Sequence, residues 1–461
     1  MARSQSLVPA IIGSALFMQT LDATIIVNAL PTMARSLGES PLTLNLAISI
    51  YFLSTAVFLP LSGWAADKFG SRIVLTSAIA LFALSSLFCG LADTLWQLIV
   101  GRILQGMAGA AMAPVGRLVL LKTVPKSELV RAMSTLTIPA LVGPIVGPIA
   151  GGAIVTFATW PWVFFINVPI GVIGVLLVWL LVPNVRERDV NPLDVRGAVL
   201  MGLGLAGLIF GLDNAGSGAL SVAWLWTLLG GGALCLYCYY LHAKRKPGAI
   251  VDLSLFRIST FSAALIGGTF GRLVLGASPF LLAILLQVVF GLSAFHAGLL
   301  TFTGAVGAIF MKTTAPPIIR RFGFRRVLIA NTVLTSTILL SYASITAATP
   351  HVVLIVMFFV AGFLRSLQFT ALGTMVFADV PPTQMSGASS LSSVGQQLSQ
   401  ALGVALAALV LYAMRHFHPQ GALGVQDIAP AFLLVGVLSL CGLFFFMRLP
   451  GDAAAELSGH R

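Results

Sequence analysis

Charged residues are scarce in this chain of 461 residues, where Asp, Glu, Lys and Arg together make up 9% of the sequence. Soluble domains carry roughly 25%. Hydrophobic residues account for 58% of the chain, more than a soluble fold of ordinary composition contains. The shortage of charge therefore excludes a soluble protein and predicts a chain that crosses a membrane many times.

Acidic residues are rarer than basic ones, with 14 Asp and Glu against 26 Lys and Arg. The net charge of +12 does not indicate nucleic-acid binding, because the basic residues concentrate beside apolar runs, as in the cytoplasmic loops of membrane proteins. Cysteine is also rare. The four cysteines lie inside apolar runs, where a small hydrophobe suffices, so neither a disulfide nor a redox pair is predicted.

The chain lacks the motifs of common catalytic sites. It contains no Gly-x-x-x-x-Gly-Lys-Ser/Thr phosphate loop, no His-Glu-x-x-His zinc motif and no Gly-x-Ser-x-Gly nucleophile motif. We therefore expect no enzymatic activity, no metal and no cofactor. Energy for any transport would come from a gradient rather than from ATP.

What the chain has instead are apolar runs of about twenty residues, each long enough to cross a bilayer as a helix. Fourteen such runs are separated by polar, glycine or proline breaks. They predict an all-α protein with six spans in residues 1–183, a linker with two spans in 184–257, and six spans in 258–461. Lys and Arg concentrate in the breaks on one side, so both termini are predicted to be cytoplasmic.

The chain also contains an internal repeat. A charged, glycine-bounded turn at Gly63–Arg72 recurs as Pro316–Arg326, and Arg102-Ile-Leu-Gln105 recurs as Arg365-Ser-Leu-Gln368. Parallel copies of six spans that enclose a site near the bilayer midplane are the plan of a transporter. A duplicated bundle without alternating access is the other interpretation.

Five stretches carry a resemblance to a known family. They are the turn with Gly63, Asp67, Gly70 and Arg72; residues 21–31 around Asp22; Arg102 with Gln105; the glycine and proline pairs Gly143-Pro144, Gly147-Pro148 and Gly151-Gly152; and residues 162–171. On these motifs the chain resembles the major facilitator superfamily, and within it the fourteen-helix drug:proton antiporters. One basic position of the turn is Ile73 here. The resemblance implies the major facilitator fold, with two six-helix bundles and two central-linker helices, in a bacterial inner membrane.

Asp22 lies about halfway along the first apolar run, where a carboxylate is expected to be protonated or paired with a cation. Arg102, about one turn inside the fourth run, is its predicted partner, oriented by Gln105. Protonation of Asp22 would remove their attraction, so the pair is a candidate for proton coupling, and the resemblance places the family's first-helix acid on Asp22. The alternatives are a structural hydrogen bond to Thr24 or Asn28, and an Arg102 that binds only backbone carbonyls.

The charged turn is predicted to act as a cytoplasmic gate. In this interpretation Asp67 and Arg72, placed by Gly63 and Gly70, bridge to neighbouring helix ends and part when the cytoplasmic side opens. A solvated loop is the alternative. In the second copy Arg320 replaces Asp67, so the gate is expected to be asymmetric.

The glycines and prolines of the fifth run predict a bent helix that packs closely against its neighbours. The resemblance associates this antiporter-motif helix with export, because it seals the path between the halves. A generic packing seam of small residues is the alternative. The residues concerned are Gly143, Pro144, Gly147, Pro148, Gly151 and Gly152.

Basic residues in the second half lack obvious acidic partners in the same runs. These residues are Arg272, Lys312 and Arg365. An anionic substrate group near Arg272 is one interpretation; the other is that Lys312 snorkels to the surface and that Gln368 or carbonyls bind Arg365. A positive cavity would favour carboxylates or neutral amphiphiles over cationic dyes. The candidate substrate-cavity residues are Asn28, Gln105, Arg272, Arg365 and Gln368.

The sequence thus favours a proton-coupled secondary transporter that exports drugs or small amphipathic organic molecules. Two alternatives stay open: an exporter of an organic anion, either a carboxylate or its metal chelate, and a membrane sensor or scaffold that transports nothing. The expected partners are a small-molecule substrate, protons and the lipid bilayer. We expect the chain to work as a monomer.

Overall fold

A computed structural model describes residues 2–39, 44, 46–187, 190–215, 220–246, 248–417 and 424–458. Within these ranges, the side chains of residues 2–6, 28, 31, 145, 148, 294, 295, 415–417 and 458 lie outside the description. The described chain is helical throughout, because apolar runs in lipid must satisfy their backbone hydrogen bonds internally.

The described residues of the first half form eight α-helices. They are α1 (Ala2–Leu37), α2 (Leu46–Phe58), α3 (Leu61–Phe69), α4 (Ser71–Gly90), α5 (Leu95–Thr123), α6 (Leu129–Phe157), α7 (Trp162–Phe165) and α8 (Asn167–Leu181). Helix α5 begins with a capping box, in which Thr94 accepts a hydrogen bond from the Gln97 backbone and the Gln97 side chain accepts one in return.

Ten further helices follow. They are α9 (Val195–Asn214), α10 (Val222–Arg245), α11 (Ser259–Ser262), α12 (Gly268–Ala283), α13 (Ala294–Ser341), α14 (His351–Met375), α15 (Met385–Phe417), α16 (Val425–Leu440), α17 (Gly442–Met447) and α18 (Ala455–Ser458). Two π-helical turns, Ala263–Gly267 and Ile284–Val289, flank α12. Residues 259–289 form one continuous span.

The described helices account for the predicted number of spans. Eleven are long and apolar enough to cross a membrane singly, and two bent pairs raise the number to 13. Helix α13 is two helices joined at Gly323, so it supplies one span more and the total reaches fourteen. The prediction of an all-helical, multi-pass membrane protein is confirmed.

One predicted span is not a single straight helix. The run that begins near Leu44 is divided into α2 and α3, which are bent by 57° with respect to each other. The break falls beside Pro60, which has no backbone N–H to donate to the preceding turn. The bend re-aims α3, which carries Gly63 and Asp67.

The two copies of the charged turn share a backbone break. Gly70 separates α3 from α4 with φ 96° and ψ 140°, and Gly323 divides α13 with φ 74° and ψ 161°. Residues with a Cβ rarely adopt this conformation, whereas glycine does so at little cost. The repeat inferred from sequence therefore extends to the backbone geometry of its turns.

The chain divides into two compact units. The first comprises Met1–Ala206, Cys235–Asp252 and Pro381–Val394; the second comprises Gly207–Leu234, Leu253–Val380 and Gly395–Arg461. The first turns of α15 thus pack with the first unit. The division into residues 1–183, 184–257 and 258–461 stays a prediction.

Candidate proton-coupling site

Asp22 and Arg102 form a buried ion pair in the first unit. Arg102 Nη1 donates to Asp22 Oδ2 over 2.6 Å, and the two side chains are 0% and 1% exposed. Asp22 lies in the middle of α1, and Arg102 lies two turns into α5. The predicted partnership is therefore present in the structure.

Amide side chains complete the surroundings of Asp22. Its Oδ1 accepts hydrogen bonds from Gln105 Nε2 at 3.2 Å and from Asn167 Nδ2 at 2.8 Å. Gln105 Oε1 also accepts from Arg102 Nη1 at 2.7 Å, so Gln105 orients both charges. Ser86 lies within hydrogen-bond distance of both amides, at 2.6 and 3.3 Å. Four helices, α1, α4, α5 and α8, thus meet at one carboxylate.

Arg102 has further contacts on its other side. Its Nε donates to the Ala47 carbonyl at 3.1 Å, and its guanidinium carbon lies 4.4 Å from the centroid of the Tyr51 ring. Such a cation–π contact stabilises a desolvated guanidinium. Within the described part of the chain, Arg102 Nη2 and Tyr51 Oη have no hydrogen-bond partner.

Three glycines of α6 pack directly against the stretch of α1 that carries Asp22. A Cβ on Gly143 would lie 2.2 Å from Thr20 Oγ1, one on Gly147 would lie 2.1 Å from Thr24 Oγ1, and one on Gly151 would lie 2.4 Å from the Ile25 carbonyl. These positions tolerate no side chain. Gly152 differs, since a Cβ there would meet nothing within 4 Å.

Helix α6 is also bent, as the sequence predicts. Its parts Lys126–Pro144 and Ile149–Phe157 meet at 43°. The Pro144 side chain is exposed, and the side chain of Pro148 lies outside the described residues. The side chain of Asn28 lies outside them as well, so its predicted place in the substrate cavity stays a prediction.

The predicted gate residues contact different neighbours. Lys122 Nζ lies 3.4 Å from Asp67 Oδ1 and 2.6 Å from Glu187 Oε1. Ser386, in the first turn of α15, donates to Asp67 Oδ2. Asp67 therefore connects the end of α3 with α5 and with the beginning of α15, all within the first unit.

Arg72 is held on the other side of the turn. Its guanidinium carbon lies 4.9 Å from the centroid of the Trp179 ring, and its backbone N–H donates to Asn184 Oδ1 at 3.1 Å. Gly70 makes room for this contact, because a Cβ there would lie 2.3 Å from Asn184 Oδ1. Gly63 does the same for α15, since a Cβ would lie 2.7 Å from Ser390 Oγ.

The second unit brings three of the predicted cavity residues together. Arg272, Arg365 and Gln368 line one pocket. Gln368 does not bind Arg365; it accepts from Asn331 Nδ2 at 2.7 Å and donates to Thr332 Oγ1 at 3.2 Å. Gln105 lies in the first unit and belongs to the Asp22 network.

Lys312 is buried rather than extended to the surface. It is 3% exposed, and its Nζ donates to Thr370 Oγ1 at 2.8 Å. The ammonium lies 5.6 Å from the centroid of the Phe369 ring. The same ring lines the pocket of Arg272 and Arg365, so Lys312 lies near that pocket.

Comparisons with known proteins show which family the chain belongs to. The family model described as Major Facilitator Superfamily matches residues 12–279 and 258–460. The chain is 39% identical over 452 residues to the "Putative multidrug resistance protein MdtD" of Salmonella heidelberg, covering 97% of this chain and 95% of that protein. This chain belongs to the major facilitator superfamily.

Solved structures of the superfamily share the fold. The human organic anion transporter MFSD10 (TETRAN) superposes with a TM-score of 0.68 at 14% identity, over 96% of this chain and 99% of that one. The proton:xylose symporter XylE, bound to 6-bromo-6-deoxy-D-glucose, gives a TM-score of 0.67 at 15% identity, over 99% and 98%. The family resemblance and the predicted fold are confirmed.

Membership of this superfamily identifies the chain as a secondary transporter of the membrane, not an enzyme. A small-molecule substrate follows from the same membership. The membership favours transport over the sensor or scaffold alternative. Among the described residues, no cluster of three or more His, Cys, Asp or Glu side chains could hold a metal ion.

Some residues of the transporter's buried network were not predicted as site residues. Asn167 and Ser86 contact the Asp22 network directly, and Tyr51 covers Arg102. Asn167 could have been predicted from the sequence, because it is the one strongly polar residue in the apolar run 162–181. Ser86 and Tyr51 carried none, since serine and tyrosine are common in apolar spans.

Proposed function

We propose that this transporter exports drugs or other small amphipathic organic molecules in exchange for protons, by alternating access. The observation that carries the proposal is the buried pair of Asp22 and Arg102 at 2.6 Å. Ionisable side chains deep in membrane helices are rare and costly, and they mark proton and substrate pathways. The multidrug resistance name of the Salmonella relative supports export of this kind.

Protonation of Asp22 would change the forces on several helices together. The ionised carboxylate accepts three hydrogen bonds, from Arg102, Gln105 and Asn167. A protonated carboxyl group loses the Coulomb attraction to Arg102, which is strong where water is excluded. Arg102 would then be held by Gln105, the Ala47 carbonyl and the rings of Tyr51 and Phe164. Protonation of Asp22 therefore weakens the contact between α1 and α5.

The glycine contacts of α6 would transmit the effect of Asp22 protonation from α1 to α6. Gly143, Gly147 and Gly151 lie against α1 on both sides of Asp22. Packed interfaces of this kind shift between discrete arrangements and do not deform continuously. A shift of α1 would therefore be transmitted to the bent helix α6, in keeping with the role proposed for the antiporter-motif helix in export.

The gate on the cytoplasmic side is part of the proposal. Asp67 links α3 to Lys122 of α5 and to Ser386 of α15. If the beginning of α15 moves away, Asp67 loses the hydrogen bond from Ser386 but keeps its ion pair with Lys122. Asp67 thus makes its contacts without any residue of the second copy of the turn. In that copy Arg320 occupies the position that corresponds to Asp67.

We further propose a bacterial inner-membrane location, cytoplasmic termini and a functional monomer. The location is supported by the bacterial relative. The cytoplasmic location of the termini is supported by the concentration of Lys and Arg in the loops on one side of the membrane. The second candidate function, export of an organic anion, gains support from Arg272 and Arg365 in one pocket.

The test uses purified protein in proteoliposomes with an imposed pH gradient. Uptake of naphthalene-2-carboxamide and of naphthalene-2-carboxylate is followed by fluorescence, with internal pH read in parallel. Asp22→Asn keeps the shape of the side chain but cannot take up and release a proton, so gradient-driven transport should fall to the level of empty vesicles while the probes still bind. Asp213→Asn, which changes an exposed carboxylate of α9, serves as the matched control and should transport normally.

Two outcomes contradict the proposal. Transport by Asp22→Asn at the wild-type rate against a gradient would show that Asp22 is not the coupling site. Transport of the probes by the wild type with no dependence on the pH gradient would remove proton coupling altogether.

A further inference from the structure

The second half of the chain contains a long stretch without any acidic residue. From Leu253 to Ala378 there is no Asp or Glu, although eight Lys and Arg residues lie in the same stretch. Helices α12, α13 and α14 all fall within it. No carboxylate of these helices can therefore neutralise a cation that they bury.

Two of these cations line the same pocket. Arg272 of α12 and Arg365 of α14 are joined there by Thr332 and Thr335 of α13 and by Ser439 of α16. The acidic residue of α16, Asp427, lies 12 residues before Ser439, about 18 Å along the helix. The pocket thus combines two guanidinium groups with hydroxyl groups and holds no acid.

The rest of the pocket wall is apolar. Val274, Leu275, Phe369 and Leu372 supply this surface. An apolar wall beside a small number of convergent polar groups is typical of small-molecule sites. It also lowers the local dielectric constant, which raises the energetic cost of placing two like charges side by side.

The two arginines differ in how they are held. Arg272 is 4% exposed, and its Nη1 donates to the Ala264 carbonyl at 3.4 Å. Ala264 belongs to the π-helical turn before α12, and turns of this kind free backbone groups at functional sites. Arg272 is therefore fixed in the wall of the pocket.

Arg365 carries hydrogen-bonding capacity that the protein does not use. Across the described ranges of the chain, no hydrogen bond or ion pair of Arg365 is found, and its side chain is partly exposed to the pocket. Thr335 Oγ1, also in the pocket wall, is buried without a hydrogen-bond partner among the described residues. A guanidinium has five N–H donors in a planar fork that matches a carboxylate.

We propose that this pocket is the subsite that binds the carboxylate group of an amphipathic organic anion, with Arg365 as its bidentate ligand. Arg272 supplies a second, fixed positive charge, Thr335 donates a hydrogen bond, and Phe369 and Leu372 contact the apolar body. The inference rests on the proposed function, because it names the class of substrate that the exporter carries.

Equilibrium binding tests the subsite without any gradient. Isothermal titration of the purified full chain compares naphthalene-2-carboxylate with naphthalene-2-carboxamide, which share the apolar body and differ in charge. The wild type should bind the carboxylate about tenfold or more tightly than the amide, as expected for charge-assisted hydrogen bonds. Arg365→Ala should bring the two affinities to parity, and Arg365→Lys should keep part of the preference because it keeps the charge but loses the fork.

Arg325→Ala is the matched control, since this arginine of the same half binds the Met447 carbonyl and does not line the pocket. It should keep the full preference for the carboxylate. Arg272→Ala should lose most of it, while amide affinity stays within about twofold in every variant that folds. Retention of amide binding shows that a variant is folded, so a loss of the preference cannot be attributed to misfolding.

Three results would overturn the inference. They are equal wild-type affinities for the two probes, an unchanged preference in Arg365→Ala, and carboxylate binding that phosphatidylglycerol vesicles abolish but phosphatidylcholine vesicles do not, which would assign the pocket to an anionic lipid headgroup. A failure of the proposed proton coupling can be distinguished from a failure of this inference. Asp22→Asn should keep the preference for the carboxylate in a titration while it loses gradient-driven transport.

Discussion

Arg102 and Arg365 stand at corresponding places in the two halves, each three residues before a glutamine. In the first unit Arg102 is paired with Asp22 at 2.6 Å, and Gln105 binds both of them. In the second unit Arg365 shares a pocket with another arginine, Arg272. The same arginine and glutamine spacing thus has a neutralised environment in one half and a positive environment in the other.

The difference separates two uses of a buried charge. A paired charge can be switched, because a proton on Asp22 removes an attraction that the structure depends on. An unneutralised charge instead favours the arrival of an opposite charge from outside. In our proposals the first half therefore binds protons and the second half binds the anionic group of the substrate.

Helix packing does not differ in this way. In the first unit Gly147 of α6 lies against Thr24 of α1, and in the second unit Gly403 of α15 lies against the Leu273 carbonyl of α12, where a Cβ would approach within 2.2 Å. Both helices that carry the charged residue of the site, α1 and α12, are thus packed by glycines of a partner helix. The repeat retains the packing and changes the charge.

The largest predicted effect is on stability. Arg102→Leu leaves the carboxylate of Asp22 buried without its cation, which should lower the free energy of unfolding by about 3–5 kcal/mol. Arg365→Leu leaves no buried carboxylate without its cation. The free energy of unfolding of this variant should therefore stay the same or increase. Denaturant unfolding of both variants in one detergent makes the comparison.

The double variant Arg102→Leu with Asp22→Asn controls for packing, since it removes the unpaired charge. It should regain most of the stability that the single variant lost. Equal losses for Arg102→Leu and Arg365→Leu would contradict the distinction between a paired and an unneutralised arginine.

A smaller effect is expected from the glycine contacts, and it should be the same in both halves. Gly147→Ala places a methyl group 2.1 Å from Thr24 Oγ1, and Gly403→Ala places one 2.2 Å from the Leu273 carbonyl. Each should destabilise the protein by about 1–3 kcal/mol, because overpacking forces the helices apart.

Gly152→Ala is the control for these variants, since a Cβ there meets nothing within 4 Å. Its melting temperature should stay at or slightly above that of the wild type, because alanine favours the helix. If Gly152→Ala were as harmful as Gly147→Ala, helix propensity or flexibility would explain the effect and close packing would not.

The smallest effect concerns a second buried carboxylate, Asp194, whose partners are partly exposed, unlike the buried partners of Asp22. Asp194 precedes α9 and contacts His242 Nε2 at 2.9 Å and Lys246 Nζ at 2.8 Å. Burial raises the pKa of Asp194, but hydrogen bonds from Lys246, His242 and the Gly197 N–H outweigh it and hold the pKa at about 2. Asp194→Asn should cost about 1–2 kcal/mol at neutral pH, because the lowered pKa of Asp194 stabilises the folded protein and the solvent exposure of Lys246 weakens that effect.

The sign of its pH dependence follows from the lowered pKa. A carboxylate whose folded pKa lies below its usual value of about 3.9 contributes stability above that pH and loses it as the pH falls towards 2. The difference in melting temperature between wild type and Asp194→Asn should therefore shrink as the pH falls below 4. A difference that grows below pH 4 would contradict the assignment.

Much of the first half's site could be predicted from residue types. Asp22 and Arg102 interrupt apolar runs, and ionisable groups in hydrocarbon must be paired, so the sequence predicts their contact. Asn167 could have been added on the same reasoning. Ser86 could not, because a serine in a span can satisfy its hydroxyl on its own helix, and nothing in the pattern shows that it faces two amides.

The contacts of the candidate gate residues were predicted less completely. The spacing of Gly63, Asp67, Gly70 and Arg72 indicates a charged turn, and Gly70 has the positive φ that such a turn requires. The partners of Asp67, which are Lys122 and Ser386, lie 55 and 319 residues away along the chain. Contacts at that separation depend on helix packing, which a local pattern does not specify.

The sequence by itself determined what depends on hydrophobicity and charge along the chain: fourteen spans, the repeated turn at Gly70 and Gly323, and the scarcity of acids in the second half. These features follow from how each residue partitions between water and lipid, which is a local property. Tertiary structure alone decided which buried charges are neutralised. Arg102 lies within 2.6 Å of a carboxylate and Arg365 faces a pocket shared with Arg272, because the choice depends on which helix faces meet, and helix faces meet through packing between distant segments.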